Sequence, residues 1–125
     1  MSLKLTTRKT GRVSIVDVSG RVTLGESASA LRESLRQMAR AGDRQILLNL
    51  TDLSYLDSSG MGVLVSSFAT INSLGGHLKL TNLSNRVKDL LLITKLYTVF
   101  EIFDDEPTAV SSFAAEAVAA PRSGV

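Results

Sequence analysis

Cysteine is absent from the 125 residues. That removes a disulfide framework, thiolate metal ligands and a cysteine nucleophile. Tryptophan is absent too, and aromatic residues make up only 5%, so the core must be aliphatic, built from Leu, Val and Ile. His77 is the single histidine, too few for a histidine metal site, and no carboxylate cluster has metal-binding spacing. The opening Met1-Ser2-Leu3-Lys4-Leu5-Thr6 lacks the charged and apolar regions of a signal peptide. The longest apolar runs, such as Leu90 to Ile93, are too short to cross a bilayer. The expectation is a soluble, cytoplasmic protein without membrane insertion or cofactor.

What is present fits one folded domain. Hydrophobic residues make up 44% of the chain, enough for a sizeable core and too many for global disorder. The expected domain covers residues 1–118, with 119–125 as a flexible tail. Net charge is only +2, but it is unevenly placed. Up to Arg44 there are nine Lys/Arg against four Asp/Glu; after it, five against eight. A basic half raises nucleic acid as a partner. Arg32, Arg36 and Arg40, however, recur every four residues beside apolar positions, the pattern of a solvated helix face. No aromatics interleave with them for base stacking, and no nucleic-acid partner is expected.

Periodicity orders the chain as β-β-α-β-α-β-α-β-α. Leu3 to Arg8 and Val13 to Val18 form a hairpin turning at Thr10-Gly11. A loop, Gly20 to Gly25, precedes a helix from Ser27 to Ala41 that Gly42 ends. Ile46 to Leu50 reads as a central strand covered on both faces. A second helix opens at Asp57-Ser58-Ser59, with Met61, Leu64, Val65, Phe68, Ile71 and Leu74 as its stripe. After Gly75-Gly76, His77 to Thr81 is a strand. Ser84 caps a third helix carrying Val87, Leu90, Leu91 and Leu96. Val99 to Phe103 is the last strand. Asp105-Glu106-Pro107 starts a final helix that buries Val110, Phe113, Ala114 and Ala117. The fold class is α/β: a mixed sheet of about five strands with about four helices. Right-handed crossovers place Gly20–Gly25, Thr51–Gly60 and Thr81–Ser84 on one edge.

The densest group of reactive side chains on that edge is Asp52, Ser54, Tyr55, Asp57, Ser58 and Ser59. Ser59 lies at the first turn of a helix, where unpartnered N–H groups favour an anion such as phosphate. Gly60 and Gly62 would let another protein approach the backbone. A phosphoserine adds roughly −1.5 to −2 charges, which Asp57 and an acidic or apolar partner would repel. The plainer reading is that Asp57 and the serines simply cap the helix; the two can coexist.

Leu53-Ser54-Tyr55-Leu56-Asp57-Ser58-Ser59-Gly60-Met61-Gly62-Val63-Leu64 resembles the signature segment of the STAS family (sulphate transporter and anti-sigma factor antagonist). Leu48-Asn49-Leu50, Gly75-Gly76-His77-Leu78 and the stretch from Val87 to Phe103 are in register with it, so the likeness runs from about Leu5 to Ala115. The resemblance implies a stand-alone antagonist. Unphosphorylated, it binds an anti-sigma factor that is also a serine kinase. It is released by phosphorylation on the second serine of the motif, here Ser59 with Ser58 as the fallback, and is restored by a PP2C-type phosphatase. The partner-binding set it implies is Gly20, Thr23, Asp57, Ser58, Ser59, Gly60, Met61, Gly62 and Asn82. Many members carry an acidic residue near Thr23. That departure keeps open a second role as a STAS accessory or scaffold subunit, of a transport complex or a signalling assembly, without phospho-switching.

A serine hydrolase would need His77 as base. His77 is expected at the far end of its strand, out of reach. In Leu90-Leu91-Leu92-Ile93 at least one residue must face outward. Leu92 is the candidate, and it could join Met61 and Val63 in a docking patch.

Overall fold

Thr10 and Arg12 flank a glycine with φ +61, and this tight turn lets β1 (Leu3–Thr10) fold back antiparallel on β2 (Val13–Val22) along its whole length. The structure, a computed structural model, describes residues 3–119, with side chains to Ala114. The tail expected beyond that, and the side chain of Ala117, lie outside the described residues. After β2 come α1 (Glu26–Arg40), β3 (Gln45–Asn49), β4 (Leu53–Leu56), α2 (Ser58–Ser73), β5 (His77–Thr81), α3 (Asn85–Thr94), β6 (Ile102–Phe103) and α4 (Glu106–Ala119).

The sheet runs β1-β2-β3-β5-β6, parallel apart from β1, and β4 pairs with the far end of β2. It is the expected mixed α/β sheet with four helices, but with six strands. The additional one is β4, lying within a segment expected as loop. Residues Ser14–Asp17 of β2 pair with β3, whereas Gly20–Val22 pair with β4. β2 therefore continues through Val22, four residues past its expected end. The register shifts between Gly20 and Arg21, so Ser54 and Tyr55 are both exposed between buried Leu53 and Leu56. That pattern hides the strand from a search for alternation.

Other boundaries moved for local reasons. Lys95 adopts the left-handed conformation and closes α3, placing Leu96 in a single 3-10 turn over Leu96–Thr98. That turn uses up the chain expected to start the last strand, leaving two paired residues. α1 begins at Glu26, one residue before its expected start, with Gly25 preceding it and no side-chain cap.

Alternation in the strands divides the core. Val16, Val18, Ile46, Leu48, Leu78 and Leu80 face α1, α2 and α3 in the larger cluster. Val13, Ile15 and Leu47 face Ala109 and Phe113 of α4 in the smaller one. Lys79 also points to the α4 side and is 1% exposed. Its ammonium meets Ser112 Oγ at 2.9 Å, Glu101 at 3.2 Å and the Phe113 ring face at 4.6 Å. No helix among the described residues is long and apolar enough to cross a membrane.

Candidate functional site

β4 delivers Asp57 to the N-cap of α2. Its Oδ1 accepts the N–H of Gly60 at 2.9 Å, and its Oδ2 accepts that of Leu24, also at 2.9 Å. The Asp57 N–H donates to Val22 O at 3.2 Å. One carboxylate thus caps α2 and fastens it to the loop after β2. The N–H groups of Gly60 and then Leu24 hold its pKa below the ordinary aspartate value. Thr23 is fixed in the same loop: its N–H donates to Ser27 Oγ at 2.8 Å, and that hydroxyl donates back to Thr23 O at 3.1 Å. Gly20 is tied in through Ser54 Oγ, which donates to Gly20 O at 2.9 Å.

Ser58 is exposed and Ser59 half-buried. Neither hydroxyl makes a hydrogen bond among the described residues. Gly60 points inward. A Cβ there would lie 2.7 Å from Val22 O and 2.9 Å from Val22 Cγ1, so its missing side chain serves the packing of α2 against β2. Gly62 has nothing within 4 Å and faces open space. The surface-approach argument therefore does not apply to Gly60, and only Gly62 presents open backbone.

Beside this helix start runs a groove of about 830 Å³ between α2 and α3. Asp57, Ser58, Met61 and Gly62 line it with Leu90 and Leu96. Met61 and Val63 are otherwise core residues, 6% and 0% exposed. Leu92 and Ile93 do face outward, at 57% and 78%. The patch expected from Leu92, Met61 and Val63 does not form, because the two α2 residues turn into the domain.

Asn82 belongs to a different part of the edge. Its φ is +59, and its amide donates to Asn49 Oδ1 at 3.3 Å, which also accepts from Thr51 N at 3.1 Å and Thr51 Oγ1 at 2.6 Å. His77 opens β5 at the opposite edge, with Nδ1 3.3 Å from Gln45 Oε1.

Sequence reasoning missed the groove's far wall. Leu90 and Leu96 were read only as core, and Arg86 was not singled out. The one signal for Arg86 was a cation in the first turn of a helix, where the dipole disfavours it. Arg21, whose guanidinium sits 4.9 Å from the centre of the Tyr55 ring, gave no signal, because nothing in the sequence revealed β4.

The candidate site is thus a helix start with an unbonded serine hydroxyl beside an open, mostly apolar groove on the carboxyl edge of the mixed sheet of an α/β domain. Residues 4–109 match the family model described as STAS domain, and the chain belongs to that family. It is 40% identical over 87 residues to the anti-sigma-B factor antagonist of Bacillus subtilis (strain 168), covering 70% of this chain and 78% of that one. The fold is shared with an anti-sigma factor antagonist from Mycobacterium paratuberculosis, at TM-score 0.81 and 17% identity over 89% of this chain and 93% of that one. It is also shared with the Bacillus cell fate determinant SpoIIAA in its phosphorylated form, at TM-score 0.68 and 18% identity over 90% and 99%. These relatives are named as antagonists or cell-fate regulators.

Proposed function

We propose that this protein is an anti-sigma factor antagonist whose docking is switched by phosphorylation at the start of α2. Unphosphorylated, it engages an anti-sigma factor with serine kinase activity through Gly20–Leu24, Asp57–Gly62 and the groove. The kinase transfers the γ-phosphoryl group of ATP to a serine Oγ, releasing ADP and the hydroxyl proton. A PP2C-type phosphatase returns the serine by hydrolysis.

The observation that carries this reading is the exposed, unbonded hydroxyl of Ser58 at the groove wall. A kinase must reach its acceptor, and Ser58 is more accessible than half-buried Ser59. We therefore place the phosphate on Ser58, reversing the order implied by the resemblance. Because Asp57 caps the helix start through the Gly60 N–H and also holds the Leu24 N–H of the preceding loop, a dianion on Ser58 would stand beside a carboxylate. A partner seated there would face that added charge. The existence of a phosphorylated form of SpoIIAA supports a phosphate within this fold.

Incubation with the anti-sigma factor and ATP, followed by peptide mass spectrometry, tests the reading. Phosphate on Ser58 with loss of complex supports it. An unmodified chain that stays bound favours the accessory or scaffold role instead.

A further inference from the structure

Among the described residues, Asp57 and Arg86 are the two charged residues that line the groove holding Ser58. The Asp57 carboxylate is committed to the N–H groups of Gly60 and Leu24. Arg86 is exposed, and no hydrogen bond or ion pair engages its guanidinium among the described residues. It is the second residue of α3, whose first turn contains no acidic residue. The positive end of the helix dipole disfavours a cation there. A guanidinium held against the dipole, in an otherwise apolar wall, has no evident task in the unmodified chain.

We propose that Arg86 is the internal receptor for a phosphate on Ser58. This rests on the reading of Ser58 as the phosphoacceptor. A guanidinium presents paired donors that match phosphate oxygens. The N–H groups at the start of α2 are already partly taken by Asp57, so the dianion needs a cation from outside that helix. α3 packs against β4, the strand leading into α2, which keeps the two helix starts on one edge. Pairing would bridge α2 to α3 across the groove and draw its mouth closed over Met61, Leu90 and Leu96. Phosphorylation would then oppose docking in two ways, by adding charge and by withdrawing the apolar surface that a partner occupies. Arg21 is the competing cation beside the groove, stacked on Tyr55, which lines it.

The test places phosphoserine at position 58 of the full chain by genetic encoding, so no kinase is needed. The phosphate is titrated by phosphorus NMR at low and high salt. Tyr55, Asp57 and Arg86 are the charged or titratable groups lining the groove, Arg21 stacks on Tyr55, and Lys88 and Asp89 of α3 and Asp17 of β2 do not line it; Asp57 stays ionised throughout the range. In the wild-type chain the second phosphate ionisation is expected about half a unit or more below its ordinary value of about 6. R86K retains part of that shift, R86Q abolishes it, R21Q keeps it and high salt weakens it. Identical titration of wild type and R86Q overturns the proposal, as does loss of the shift in R21Q but not in R86Q. If the kinase never modifies Ser58 but the encoded phosphate still senses Arg86, the functional reading fails and the pairing stands.

Discussion

Asp57 accepts the backbone N–H of Leu24, 33 positions earlier in the chain, at 2.9 Å while capping α2. The carboxylate must be ionised to accept both N–H groups well. Its pKa is lowered on folding, so its stabilisation is fully present above the unfolded value of 3.8 and is lost as pH falls through the lower folded value. D57N should destabilise the domain at neutral pH and flatten its stability between about pH 5 and pH 2. Urea unfolding across that range checks this; parallel profiles for the two proteins would contradict it.

Gly60 and Gly62 should respond oppositely to an added methyl. G60A forces a Cβ to 2.7 Å from Val22 O, an overpacking cost of about 1–3 kcal/mol. G62A meets nothing within 4 Å and should stabilise the helix by about 0.5–1 kcal/mol. Chemical denaturation of both variants decides the matter, with G60A expected to bind poorly through misfolding rather than through surface bulk.

Arg8 donates to Asp17 at 2.7 and 2.9 Å and to Glu106 at 2.8 and 2.6 Å, tying β1 and β2 to the start of α4. The hydrogen bonds from Arg8 hold both carboxyls below their ordinary pKa values. The pairing therefore stabilises above about pH 4–5 and fades as pH falls through the folded values. Because Arg8 is well exposed, R8Q should cost only about 1 kcal/mol at neutral pH. Its deficit relative to wild type should shrink in acid, as measured by thermal melts at stepped pH.

Lys79 is buried with Ser112, Glu101 and two aromatic rings around its ammonium. K79M keeps the volume and removes the charge, so it should lie within about 1 kcal/mol of wild type or be more stable. K79A leaves a cavity under α4 and should cost about 2–4 kcal/mol. Equal stability for K79M and K79A in urea would show that α4 does not pack tightly over the side chain.

Affinity for the anti-sigma factor should separate the two serines. S58A is expected to stay bound in the presence of kinase and ATP, whereas wild type is released. S58E should bind at least about tenfold more weakly, about 1.4 kcal/mol, and S59A should still be released like wild type. Titration calorimetry with purified partner gives these values; constitutive binding by S59A instead of S58A would move the switch one residue.

Much of this was legible from residue spacing. The Asp57 cap, the shared edge and the α2 stripe through Met61, Leu64 and Ile71 follow from local patterns with strong physical periods, although Leu74, expected in that stripe, is exposed. β4 was not, because a register shift at Gly20/Arg21 broke the alternation that marks a strand. Nor was burial of Lys79: a lysine between two leucines reads as solvent-facing, and only α4, far along the chain, covers it. The groove escaped for a related reason. Leu90 and Leu96 look like core by composition, and only the left-handed break at Lys95 shows how they form a wall with α2.

β2 is the one strand that pairs with three others, β1, β3 and β4. Its last residues pair with β4, which leads into the Asp57 cap, while its first lie at the opposite end of the molecule. A protein gripping the Ser58 edge therefore pulls on a keel running the length of the domain. Amide exchange at the Thr10 end of β1, far from Gly20, should slow on complex formation.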